Sequence, residues 1–118
     1  MNNNWEKISK TSGLTKEIIR EKTEKVNWGY ISKYQKLSEE FIRENSDKVD
    51  WYYISAHQKL SGEFIRDNSD KIYWNNISRY QKLSKKFIRE NIDKINLNEL
   101  IENKHIDKEF KDKIKYLS

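Results

Sequence analysis

Large apolar side chains return along this chain at one fixed interval. Trp5, Trp28, Trp51 and Trp74 lie 23 residues apart, and Leu97 takes the next place in the series. Ile8, Ile31, Ile54, Ile77 and Leu100 follow three residues later. Leu14, Leu37, Leu60, Leu83 and Ile106 come nine after the Trp place, and Ile18, Phe41, Phe64, Phe87 and Phe110 come thirteen after it. Polar positions keep the same register, so the middle copies read W-x-x-I-S-x-x-Q-K-L-S-x-x-F-I-R-x-N-x-D-K-[VI]. Self-similarity at such a period marks a tandem array of one small supersecondary unit. The expected organisation is a single helical-repeat domain over 1–118, with copies at 5–27, 28–50, 51–73, 74–96 and 97–118.

Each copy predicts two short helices. The first starts at the Trp. Asn4, Asn27, Asp50 and Asn96 stand just before it, where a side-chain oxygen can cap exposed backbone N–H groups. Tyr73 breaks that rule, and Asn96 with Glu99 has the spacing of a capping box. At about 100° per residue, the Trp, the Ile and the later Gln fall on one face. The second helix starts after Thr15, Ser38, Ser61, Ser84 and Asp107, all good N-caps. Leu37 with Ile42, Leu60 with Ile65 and Leu83 with Ile88 have the spacing of hydrophobic staples.

Helices of about two turns are not stable alone, and one copy cannot bury its apolar face. Stacking the copies can, so the expected fold is all-α: a short α-solenoid of about five helix–turn–helix repeats. At 8–10 Å per helix spacing the array should be roughly 40–50 Å long. The end copies are degenerate, as caps should be, which fits a complete array. Ser12 replaces the Gln and Ile18 the Phe in the first copy; Leu97 replaces the Trp and Lys111 the inward Ile in the last.

The string from Asp50 to Ile72, DWYYISAHQKLSGEFIRDNSDKI, resembles a Trp-bearing short helical repeat of bacteriophage and large DNA virus proteins, and the likeness extends over nearly the whole chain. The resemblance implies a helical interaction module of viral origin and no reaction. Such repeats often carry an apolar residue where this chain has Asn45, Asn68 and Asn91. The helical wheel places these on the buried face, and each is expected to bond backbone at a helix end, where Asn also tolerates a left-handed conformation.

Composition narrows the functional classes. Hydrophobic residues make up 35% of the chain and charged residues 36%, too polar for a deep core, yet the chain holds four Trp, seven Tyr and four Phe at regular places. It has no Cys, hence no thiolate site, and no Pro to interrupt helices. Met1 to Asn4 is polar, without a signal-peptide core, and no apolar run approaches the roughly 18 residues of a membrane span. No membrane partner is expected, and the expected location is the host-cell cytoplasm. His57 and His105 have no spaced partners for zinc or for a Ser–His pair. Ser9, Ser32, Ser55 and Ser78 recur equivalently, which makes them a packing feature rather than a nucleophile. No catalytic, metal or cofactor residues are assigned, and the chain is not expected to be an enzyme.

In a repeat, the invariant positions hold the stack and the variable ones can specify a ligand. The outward positions of the first helix carry Gly29, Tyr30, Lys33 and Tyr34 in the second copy. The third has Tyr52, Tyr53, Ala56 and His57, and the fourth Asn75, Asn76, Arg79 and Tyr80. Clustered Tyr side chains suit a binding surface, because they give large contact area at low entropy cost. Tyr30, Tyr34, Tyr52, Tyr53, His57, Asn75, Asn76 and Tyr80 are therefore the candidate partner-binding residues; the competing reading is that these rings only fill grooves between copies. A second candidate is charge. The net charge is +5, and the copy 74–96 holds six basic against two acidic residues. Arg79, Lys82, Lys85, Lys86 and Arg89 form a candidate basic patch, with Lys85 and Lys86 standing where the second copy has Glu39 and Glu40.

The leading expectation is a module that binds and blocks a host protein; for a viral protein, an inhibitor of a host defence such as a CRISPR effector is a specific case. The alternatives are nucleic-acid binding through the basic patch with Tyr stacking on bases, and self-assembly through the array end near Leu97 and Ile106. The chain is expected to be a monomer or to self-associate weakly.

Overall fold

The computed structural model describes residues 4–11 and 13–117. The first three residues of the polar start, and Ser12, the stand-in for Gln, lie outside the described residues. Ten α-helices follow one another among them: α1 Asn4–Lys10, α2 Lys16–Glu21, α3 Trp28–Tyr34, α4 Glu39–Glu44, α5 Trp51–His57, α6 Gly62–Asp67, α7 Trp74–Tyr80, α8 Lys85–Glu90, α9 Leu97–Ile101 and α10 Lys108–Ile114. A 3-10 turn, Lys115–Leu117, closes the chain. The fold is all-helical, and the chain divides into two compact units, Met1–Gln58 and Lys59–Ser118.

The helix starts follow local chemistry. Thr15, Ser38, Ser61, Ser84 and Asp107 all sit in extended backbone and accept a hydrogen bond from the third residue of the helix they precede. Asn27, Asp50 and Asn96 cap α3, α5 and α9, while Tyr73 makes no side-chain cap. Asn4 is the exception, lying inside α1 rather than before it. The capping box at α9 is also only half formed. The Glu99 N–H donates to Asn96 Oδ1 at 3.1 Å, but the Asn96 N–H donates to Ser78 Oγ, and the Glu99 carboxylate pairs with Arg79.

In the first unit, α1, α3 and α5 lie side by side. Ile19, Val26, Ile31 and Phe41 form a buried cluster, with Trp5, Leu14, Trp28 and Leu37 packed against it. The Trp28 and Phe41 rings stack at 6.3 Å. In the second unit α7 lies beside α9, Trp74 stacks on Phe87 at 6.3 Å, and Ile65, Ile77, Ile88, Leu100 and Ile114 are buried. Ile114 supplies the inward group that Lys111 does not, one turn further along α10.

Invariant polar residues make the joints between copies. The Ser9 hydroxyl donates to the Trp5 carbonyl at 2.6 Å and accepts the Asn27 N–H at 2.9 Å. Ser78 does the same with the Trp74 carbonyl and the Asn96 N–H, and Ser32 accepts the Asp50 N–H. Each hydroxyl thus holds the first residue before the next copy's helix. The Gln side chain reaches backwards. Gln35 Nε2 donates to the Ser9 and Thr11 carbonyls, and its Oε1 accepts the Leu14 N–H. Gln58 bonds the Ser32 and Gln35 carbonyls and the Leu37 N–H in the same way. These glutamines lie beyond the helical face on which the wheel put them. They are C-cap residues with extended backbone, and that backbone aims the amide at the neighbouring copy. Trp28 and Trp51 donate their indole N–H to the Thr23 and Ser46 carbonyls of the preceding turn, both at 3.0 Å.

Asn45, Asn68 and Asn91 each donate Nδ2 to the Phe carbonyl four residues back at 2.9 Å, as expected of Asn at a helix end. They are not left-handed, however: φ is −115° at Asn45, −114° at Asn68 and −120° at Asn91. Only Asn91 is fully buried; the other two are half-buried.

Candidate interaction surfaces

In the first unit the side chains that hold the joints are buried, and the aromatic residues between them sort into two kinds. The first and sixth positions after the Trp point outward. Tyr52 is 50% exposed and Tyr34 42%, and His57 is exposed. The second position turns sideways, toward the adjacent first helix. The Tyr30 hydroxyl donates to Glu6 at 3.3 Å, and the Lys10 ammonium sits 4.5 Å from the Tyr30 ring. Tyr53 lies under Lys33, 5.5 Å away, and meets Tyr52 edge-on at 5.5 Å. Tyr30 and Tyr53 therefore fill grooves, contrary to the expectation that they face a partner. The Tyr53 ring lies 6.0 Å from His57. Partial burial, and then the nearby Lys33 charge, lower the His57 pKa below its ordinary 6.5.

The second unit repeats this division. Tyr80 is 50% exposed and Asn75 is exposed, but Asn76, at the second position, is 9% exposed and does not belong to an outward face. Asn75 accepts a bond from Asn96 Nδ2 at 2.9 Å. Where α9 ends early, a pocket of about 260 Å³ opens, lined by Arg79, Tyr80, Glu102, Lys104 and His105. Beside it the bridging amide has shifted by one residue. Lys104 occupies the Gln register, yet Asn103 does the work, donating to the Ser78 and Gln81 carbonyls at 2.8 and 2.9 Å. Counting along the repeat could not find Asn103, because the helix before it is two residues shorter than its equivalents.

The five cations of the basic patch are not equivalent. Arg79 pairs with Glu99 at 3.5 Å and lies over the Tyr80 ring. Lys85 pairs with Asp107 at 3.4 Å and lies 5.5 Å over Phe110. The Phe110 N–H first, aided by Lys85, holds the Asp107 carboxyl below its usual range. Among the described residues Lys82, Lys86 and Arg89 make no ion pair. Elsewhere, Arg20 lies 2.8 Å from Glu44 and Arg43 lies 3.9 Å from Glu39. Arg66 and Arg89, at the equivalent places of the next two copies, make no ion pair among the described residues.

The recurrent serines spend their hydroxyls on the joints. Among the described residues no group of three or more His, Cys, Asp or Glu is placed to hold a metal ion, and no helix is long and apolar enough to cross a membrane. No family model, curated protein or solved structure matches the chain.

Proposed function

We propose that the chain is a short α-solenoid of five copies serving as a non-catalytic protein-binding module. In this reading it is encoded by a phage or virus and acts in the host cytoplasm by covering a surface that a host protein, such as a defence effector, needs. One observation carries the proposal. The recurrent Trp, Ser and Gln are consumed by the joints and the recurrent Asn by its own helix end, whereas Tyr34, Tyr52 and Tyr80 stand about half exposed at places where the copies differ. Rigid exposed Tyr is the side chain most suited to anchoring a protein interface.

The test is affinity capture from nuclease-treated host lysate with the intact chain and with a Tyr34→Ala/Tyr52→Ala variant, both checked for helicity. Capture of one stoichiometric protein, lost with the variant, is the expected result. Capture of no protein from the treated lysate, with nucleic acid recovered only when nuclease is omitted, would overturn the proposal.

A further inference from the structure

The second-helix row of the 59–118 unit carries charge against its own local interest. The helix α4 begins with Glu39 and Glu40, and Arg43 lies 3.9 Å from Glu39. At the equivalent places α8 begins with Lys85 and Lys86, and its first turn holds no acid. Cations there oppose the helix dipole. The fold offsets this only for Lys85, through Asp107. Lys86 makes no ion pair among the described residues, and neither does Arg89, whose glutamate four residues earlier has become Lys85.

A third cation joins them from the neighbouring copy. Arg66 on α6 and Lys86 line one shallow concavity of about 330 Å³, together with Glu90 and Asn91. Arg66 is likewise without an ion pair among the described residues. Arg89 follows Lys86 by three residues, the spacing that puts two side chains on the same side of a helix. Glu90 is the concavity's single carboxylate, and it pairs with none of the three. Cations grouped without internal partners raise the local positive potential and attract an anionic ligand.

We infer that this α6–α8 face docks an acidic segment of a partner protein, with Arg66, Lys86 and Arg89 each receiving a carboxylate. Charge complementarity identifies the anion, and the surroundings favour carboxylates over a nucleic-acid backbone. Binding of single strands relies on exposed rings on which bases stack, and here Phe64 and Phe87 are buried. Asp67, Asp70 and Asp93, all exposed, follow closely in sequence and would repel a continuous run of phosphates, while discrete carboxylates can avoid them. Arg donates two parallel N–H bonds to a carboxylate, which makes Arg66 and Arg89 the specific members and Lys86 the point charge. The face shares no residue with the Tyr side chains of the proposed function, so each can fail without the other.

The experiment measures anisotropy with the full chain at low ionic strength. The probes are a short labelled peptide alternating Glu and Gly, the matching Gln–Gly peptide, and a labelled oligothymidylate of equal charge. The Glu peptide should bind at least about tenfold more tightly than either of the others, a difference of about 1.4 kcal/mol. Lys86→Glu with Arg89→Glu should weaken it at least about tenfold, and Arg66→Ala alone by about threefold. Tyr34→Ala/Tyr52→Ala should leave it unchanged. If the double reversal disturbs helicity, Arg66→Ala decides by itself. Oligothymidylate binding as tightly as the Glu peptide, no binding of the Glu peptide, or binding indifferent to these substitutions would each overturn the inference.

Discussion

At the residue scale, stability rests on a few buried polar side chains with every group engaged. Gln35 is nearly inaccessible and makes three hydrogen bonds to the preceding copy. Gln35→Leu keeps the bulk but strands those partners, and should cost about 3 kcal/mol in a urea melt, while the exposed neighbour Lys36→Ala should change stability by less than about 0.5 kcal/mol. Thr23 presents the opposite case. Its hydroxyl is buried without a hydrogen-bond partner, whereas its carbonyl serves Trp28. Thr23→Val removes the unsatisfied group and leaves the carbonyl, so it should stabilise by about 1 kcal/mol; a loss of stability would show that the hydroxyl is solvated. The fourth copy already has Ile92 at that place. His57 introduces a pH dependence. Its folded pKa is depressed, so above 6.5 the imidazole is neutral in both folded and unfolded states and nothing is lost. As pH falls below 6.5 the unfolded chain takes up the proton first, and stability drops until the folded pKa is passed. His57→Gln should flatten that stretch of the stability profile, and an unchanged slope would assign it to another group.

At the scale of elements, the start of most helices was legible because capping is local: a Ser, Asn or Asp followed by the apolar pattern is sufficient. Helix ends were less legible. The extended C-cap glutamines are set by what the amide can reach in the neighbouring copy, which no window on one strand of sequence contains. The same reason hides Asn103, which replaces Gln from a place one residue out of register. Asn103→Ala should cost about 3 kcal/mol, since it strands the Ser78 and Gln81 carbonyls and the His105 N–H. Adding Lys104→Gln, which restores the formal register, should not rescue it. Rescue in the melt would mean that α9 extends on demand and that the shorter helix is a choice of side chain.

For the whole molecule, equivalent joints in successive copies imply that copies are interchangeable. A chain carrying residues 51–73 twice in tandem should keep its helical ellipticity per residue and melt at or above the temperature of the original, as stability in repeats sums over copies and their joints. A lower melting temperature with reduced ellipticity would refute the interchangeability on which the solenoid proposal stands.

The sequence by itself determined that the protein is all-helical, where most helices begin, and which apolar residues are inside, except for Ile18, which holds the Phe place of the first copy yet is 40% exposed, because period and capping act over a few residues. Only the tertiary structure decided the roles of the outward positions. Tyr30, Tyr53 and Asn76 share the polarity pattern of Tyr34, Tyr52 and Tyr80, but the second position after the Trp turns into a groove and the first and sixth do not. It also decided which cations are available. Arg79 and Lys85 find carboxylates 20 and 22 residues away, Lys86 and Arg89 find none among the described residues, and Arg66 stands beside Lys86. Charge and aromaticity are written residue by residue. Whether a side chain is spent or available depends on what folds against it, and that is a property of the packed copies alone.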